Sequence, residues 1–349
     1  MRPRRRRKPV NSEGGRTVGT VRTMGTGSTA PTAPTFPSAL SDLRGAAEAL
    51  RGVAVRTPLV EAPELSRRLG VPVWLKCEQW QPIGAFKVGG AWTAITRMPE
   101  AARSNGVIAH SSGNHGRAVA WVARRLGLPA VIVMNDNAPV LKIEAVRAEG
   151  ARVVLVDRYL RAKTAEELAA RERLAMVHPY EHPDVVLGQA TCALEILDER
   201  PEVATVLVPI GGGGLLGGSC LAAQALGHPA ELIGVEPEGA AKLSAALAAG
   251  HPVPLPETAS IADGLLPVAV GDLPWSRIGQ RVRRAIRIPE DAIGDAVGFL
   301  FRTMGLRVEP SGAVTVAALL LGSIRPEGPV AAILSGGNVD PELFARLTG

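Results

Sequence analysis

At 349 residues, 46% of them hydrophobic, the chain has material for roughly two domains with real cores. Its apolar runs are too short and too often broken to give the ~20 residues a membrane-spanning helix needs. The formal charge of +6 suggests a nucleic-acid binder until it is located. The first forty residues hold eight basic groups and one acid, a sum of +7, and +6 less +7 leaves −1 for all the rest. A near-neutral body with 2 Tyr makes no base-stacking platform, so no nucleic-acid partner is expected.

Three cysteines far apart, Cys77, Cys192 and Cys220, argue for a reducing, cytoplasmic setting and against a disulfide frame or structural zinc. Residues 1–37 mix an Arg run with Gly, Ser, Thr and Pro, which cannot bury enough apolar surface to offset their ordering entropy, and are read as a disordered basic tail. A start codon placed too early, with Met24 as a candidate true start, is the expected explanation of such a tail; a tether to nucleic acid or an anionic surface is the alternative.

Folded structure is expected from about Ser38, where Leu40, Leu43, Ala47 and Leu50 keep helical spacing and Gly52 closes the helix. Val73 to Lys76 reads as a strand feeding a turn with Pro82 and Gly84. Lys87 follows at once, with Phe86 before it and Gly89 and Gly90 behind, as a lysine bonded to a flat cofactor would need for an apolar wall and close backbone approach. VIAH (107–110), AVIVM (130–134) and RVVLV (152–156) read as buried strands, with helices at 114–126, at 139–148 and after 160. A second series follows: TVLVP from Thr205, a helix at 215–226, ELIGV (231–235), helices near 290–304 and 312–322, and VAAIL (330–334). Strand and helix alternating in this way predict parallel sheets covered on both faces, in two α/β units with a cleft between them.

Three turns in this series carry chemistry. SSGNHG, Ser111 to Gly116, lies between a strand and a helix, where exposed backbone N–H groups and the helix dipole favour a carboxylate or phosphate. GGGGLLGG, Gly211 to Gly218, leaves no side chains between backbone amides and a bound anion. Gly212, Gly214 and Gly217 also satisfy G-x-G-x-x-G, and Glu236 stands where a dinucleotide fold places its ribose-binding acid, so a nicotinamide oxidoreductase is an alternative. SGGN, Ser335 to Asn338, puts a hydroxyl at the carboxyl end of a strand, able to bond a heterocyclic nitrogen or simply to turn the chain.

Taken together, LKCEQWQPIGAFKVGGA, HSSGNHG, MVHPY, GQATCALEI, VPIGGGGLLGG, ETASIADGL, VEPSGAV and ILSGGNVD resemble the pyridoxal-phosphate (PLP) enzymes of fold type II, in the serine/threonine dehydratase and serine racemase branch. The likeness runs from about Ser41 to Asp340. It implies a tryptophan synthase β-like α/β fold of two three-layer α/β/α domains. Residues 38–105 and 182–349 would form a large PLP-binding domain and 106–181 a small mobile one. It also implies a homodimer.

By position, the resemblance makes Lys87 the Schiff-base lysine and Phe86 the residue packing on the pyridine ring. Asn114 would bond the ring hydroxyl, Gly211, Gly212, Gly213 and Gly214 the phosphate, and Ser335 the ring nitrogen. Ser111, Ser112, Gly113, Asn114 and His115 would clasp the carboxylate of a small-molecule amino-acid substrate. The implied reaction is dehydration of L-threonine or L-serine to a 2-oxo acid and ammonia.

Some positions depart from the dehydratase pattern. Ser112 stands where dehydratases often carry Ala and racemase-like members carry Ser as an acid/base, which keeps amino-acid racemisation open. A dehydratase of a related hydroxy amino acid, such as the hydroxyectoine-utilisation type, is a further alternative. Ala85 replaces a usual Ser. His115 stands where sulfhydrylases usually have Thr, which disfavours β-replacement. Relatives that bind a divalent cation use the acid at Glu236 and another six residues on, where this chain has Lys242, so no metal requirement is expected, Glu238 being the one acid nearby that could restore a site.

Overall fold

The computed structural model describes residues 39–349; the tail read as disordered, residues 1–37, lies outside the described residues. The strands are β1 (Leu59–Glu61), β2 (Val73–Cys77), β3 (Val107–His110), β4 (Ala130–Asn135), β5 (Arg152–Val156), β6 (Ala175–Met176), β7 (Thr205–Pro209), β8 (Glu231–Pro237), β9 (Ala285–Ile288) and β10 (Val330–Leu334). They form a six-stranded sheet in the order β1-β2-β10-β7-β8-β9 and a four-stranded sheet in the order β5-β4-β3-β6.

Every pairing is parallel except that of β1 with β2. The all-parallel sheet expected from the alternation thus gains an antiparallel edge, a three-residue strand too short to show in a sequence pattern. In the large sheet the pleat sends alternate residues to two cores. Leu75, Leu207 and Ala332 face the helices Glu290–Met304 and Pro310–Leu320, while Trp74, Val206 and Ala331 face Pro183–Glu199 and Gly214–Ala225. Both faces being covered explains why β10 reads as an unbroken apolar run and why β2 and β7 are buried throughout, Lys76 and Thr205 included.

The small sheet divides in the same way. Val107, Ala109 and Ile132 pack with the helix Asn114–Arg125, and Ile108, Val131 and Val133 with Ala165 and Leu168 of the helix Arg161–Glu172. RVVLV is not the buried strand its composition predicted. As β5 it is the sheet's edge, with Arg152 and Leu155 exposed. No helix among the described residues is long and apolar enough to cross a membrane.

The helix Lys87–Arg97 crosses Pro183–Glu199 at glycines. A Cβ on Gly89 would come within 2.7 Å of the Gly188 carbonyl oxygen, and one on Gly188 within 2.2 Å of that of Gly89. The glycines behind Lys87 therefore serve helix-to-helix packing, not the approach of a cofactor that the sequence suggested. A Cβ on either would drive backbone against backbone.

Candidate active site

The singled-out motifs all stand at carboxyl ends of parallel strands, where open α/β sheets bind ligands. Lys87 follows β2, Ser335 follows β10 and Gly211 follows β7, and these three strands are neighbours in the large sheet. The Ser111–His115 turn follows β3 of the small sheet. The two sets meet through polar links: Asn114 Nδ2 donates to Glu309 at 2.7 Å, Asn338 Nδ2 donates to Asn114 Oδ1 at 2.8 Å, and Lys142 pairs with Asp263.

Lys87 opens its helix with its Nζ donating to the Pro179 carbonyl at 3.2 Å and lying 4.9 Å from the Phe86 ring centroid. The residue is half-buried, and desolvation of its amine lowers its pKa from 10.5 to about 8. Phe86 is tied down by its N–H to the Ser335 carbonyl at 3.1 Å, and Ala85 bridges to Gly336, so the Lys87 and Ser335 turns form one unit. The Ser335 hydroxyl is buried and makes a long 3.4 Å bond to the Ser311 carbonyl.

The glycine loop is a cradle at a helix N-terminus. Gly213 has φ +97°, a left-handed conformation natural to glycine, and Gly214 begins the helix Gly214–Ala225. A Cβ on Gly212 would come within 2.2 Å of the Tyr180 ring. Gly212 is thus fixed by Tyr180, and the loop's backbone leads into a helix N-terminus, where an anion is favoured.

On the small-sheet side, Ser112 Oγ receives the Asn135 N–H at 2.8 Å and Arg161 Nη1 at 3.3 Å, and also contacts Asn135 Oδ1. Ser111 Oγ accepts from Gly113 N at 3.3 Å. His115 is buried behind this turn with Nε2 at 2.8 Å from the Val177 carbonyl, which makes Nε2 the donor and leaves the buried Nδ1 an acceptor with no partner. His110, His178 and Tyr180 stack edge to face with centroids 4.9 and 4.8 Å apart. Burial carries His110 down to about 4 and His178 to about 3, and takes His115 well below its usual value, so all three imidazoles are neutral at pH 7.

Sequence reasoning missed Arg161, Asn135, Tyr180 and Glu309 as site residues. Tyr180 and Glu309 lie in motifs quoted for the family resemblance but carried no role there. Arg161 and Asn135 lie outside every motif, and only the fold brings them to Ser112. Glu236, weighed as a ribose ligand, is instead consumed inside the protein. Its carboxylate accepts the Leu243 and Ser244 N–H groups at 2.7 and 2.8 Å, at the start of the helix Lys242–Ala249, with Lys242 Nζ 4.0 Å away. Lys242 Nζ in turn bonds the Ala240 and Leu265 carbonyls at 2.7 and 2.9 Å.

A buried lysine of depressed pKa, an amide cradle without side chains and a buried hydroxyl on neighbouring strand ends make a donor set that fits PLP. Comparison with known proteins agrees. The chain is 37% identical over 309 residues to the L-threo-3-hydroxyaspartate ammonia-lyase of Saccharomyces cerevisiae, covering 88% of this chain and 95% of that one. It is 35% identical to the L-threonine ammonia-lyase of Thermotoga maritima, covering 88% and 77%. The structure of maize serine racemase superposes with a TM-score of 0.85 at 34% identity, covering 88% of this chain and 96% of that one. The profile of the family described as "Pyridoxal-phosphate dependent enzyme" matches residues 50–336. With its lysine, glycine cradle and serine on three adjacent strand ends, the chain belongs to the PLP-dependent enzymes of fold type II.

Proposed function

We propose that this enzyme is an ammonia-lyase that eliminates water from a 3-hydroxy amino acid, L-threonine or L-serine, to give a 2-oxo acid and ammonia. The observation that carries the proposal is the desolvated amine of Lys87, held at the Pro179 carbonyl near His115 and His178, past the end of a strand in the same sheet as the one leading to the Gly211 loop. When bound, PLP supplies an electron sink that acidifies the α-proton of an attached amino acid. Lys87 would anchor it, the Gly211–Gly214 amides would hold its phosphate, and Phe86, Asn114 and Ser335 would fix its ring.

The chain's own groups then have separable tasks. The amine of Lys87, substantially neutral near pH 8, is the base for the α-proton. The Ser111–Asn114 turn takes the substrate carboxylate, and the Arg161 guanidinium beside Ser112 adds a cation with no acidic partner within 4.0 Å among the described residues. The neutral imidazoles of His110, His115 and His178 add no charge that would compete for that carboxylate. A neutral hydroxyl at Ser335 leaves the ring nitrogen without a counter-ion, which suits elimination over a long-lived carbanion.

Assay of ammonia and 2-oxo acid over a panel containing L-threonine, L-serine and L-threo-3-hydroxyaspartate tests the reading. Release from either of the first two is expected, and inversion without release from any of them overturns it. A racemase reading is kept for one reason: the Ser112 hydroxyl is held by Asn135 and Arg161, and chiral inversion of serine lost in Ser112→Ala would establish it.

The proposal includes independence from divalent metal. The Lys242 ammonium already lies between Glu236, Ala240 and Leu265, where an acid at its position would have completed a cation site. Activity of the purified enzyme is expected to be the same in chelator and in magnesium; loss in chelator with recovery on adding magnesium contradicts this.

A further inference from the structure

Glu309 is the buried charge that the proposed reaction leaves unused. It is 3% exposed and sits just ahead of the helix Pro310–Leu320. Its Oε1 accepts from Asn114 Nδ2 at 2.7 Å, and its N–H bonds the Gly336 carbonyl at 3.0 Å, one residue past Ser335. It therefore touches both the turn assigned to the ring hydroxyl and the turn assigned to the ring nitrogen.

The hydrogen bonds around it run in one direction. Arg117 Nη1 donates to Asn338 Oδ1 at 3.2 Å. Asn338 then spends its amide hydrogens on the Ile83 carbonyl at 2.9 Å and on Asn114 Oδ1 at 2.8 Å. With its oxygen so occupied, Asn114 turns Nδ2 to Glu309 and keeps a single N–H for anything else. A carboxylate ends this chain of donors best, because it accepts at either oxygen and its charge strengthens the bond from Asn114, whereas a neutral acid or an amide accepts only through its carbonyl oxygen.

We propose that Glu309 is a positioning residue: it locks Asn114 in one amide orientation so that one N–H of Asn114 is presented to the cofactor ring. The inference rests on the assignment of Asn114 to the ring. The charged groups felt by Glu309 are Asp263, on the 263–265 turn, and Lys142, on the helix Val140–Arg147, which pair with each other. Arg117 is reached only through Asn338. Burial, with Asp263 adding to it, moves the carboxyl up to about 7, so its negative charge, and the added strength that charge gives the bond from Asn114, is lost as the pH falls through that value.

The test measures PLP affinity of the apoprotein and the visible absorbance of the holoprotein against pH, in wild type, Asn114→Ala, Glu309→Gln and the double variant. Exchanging a charge-assisted hydrogen bond for a neutral one is expected to weaken PLP binding about 10-fold in Glu309→Gln. The double variant should bind no more weakly than Asn114→Ala alone, since Glu309 acts through Asn114. The wild-type spectrum should change through pH 7 and that of Glu309→Gln should not; no imidazole beside Lys87 can supply such a step. Additive losses, or an unchanged pH titration in Glu309→Gln, overturn the inference. Unchanged affinity in Asn114→Ala overturns instead the assignment of Asn114. If Glu309→Gln does not fold, Glu309→Asp, which keeps the charge but shortens its reach to Asn114, should weaken PLP binding non-additively with Asn114→Ala while keeping a pH step, and additive losses overturn the inference.

Discussion

Replacing Lys87 with Ala is expected to abolish turnover and to leave no residue that borohydride can tag with the cofactor. In the proposed reaction Lys87 has two tasks, attachment and proton transfer, and loss of a positioned base alone costs about 10²- to 10⁴-fold. The wild-type apoprotein should show the cause in its pH dependence. An amine at about 8 instead of 10.5 becomes neutral, and so nucleophilic, more than two units earlier than a surface lysine. The rate at which apoprotein captures PLP should rise as pH climbs through 8 and level off above it. Peptide mapping of the reduced holoprotein should find the tag on Lys87. A tag elsewhere, or a capture rate still climbing toward pH 10.5, removes the lysine from its assigned place.

The parts of this site that the sequence made legible are those built by short-range rules. A strand, a small-residue turn and a helix announce a backbone anion holder wherever they occur, and Ser111–Gly116 and Gly211–Gly218 are such turns. That Lys87, Ser335 and Gly211 fall side by side follows from the order β2-β10-β7, which no local pattern encodes. The remainder depended on contacts between residues far apart in the chain. Gly89 and Gly90 were explained by a ligand because their actual neighbours, Gly188 and Gln189, lie almost a hundred residues on. Arg161 lies outside every motif, and only the fold lays it against Ser112. Glu309 carries no sign of burial in its own sequence, and its role emerges only with Asn114 and Asn338 around it.

Lys242→Met is expected to cost about 3–5 kcal/mol of folding stability, read as a lowered denaturant midpoint, because it strands the fully buried Glu236 without its cation. The two amide bonds to Glu236 soften the loss, but the Ala240 and Leu265 carbonyls also lose their donor. Removing the charge as well, in Lys242→Met with Glu236→Gln, should recover part of the cost, and a single variant as stable as wild type contradicts the account. The pH dependence fixes the sign. Burial outweighs the attraction of Glu236 and lowers Lys242 from 10.5 to about 8. Between those values the unfolded chain holds the proton and the native one has released it, so this group's contribution to stability rises with pH across the window and is lost as pH falls through 8. Lys242→Met should flatten that rise. The consequence reaches the cofactor, because the Leu265 carbonyl held by Lys242 belongs to the same turn as the Gly264 carbonyl, which lies 3.0 Å from where a Cβ on Gly211 would stand. Loosening the ammonium should therefore weaken PLP binding as well as the fold, whereas a lysine that merely filled space would leave the affinity unchanged.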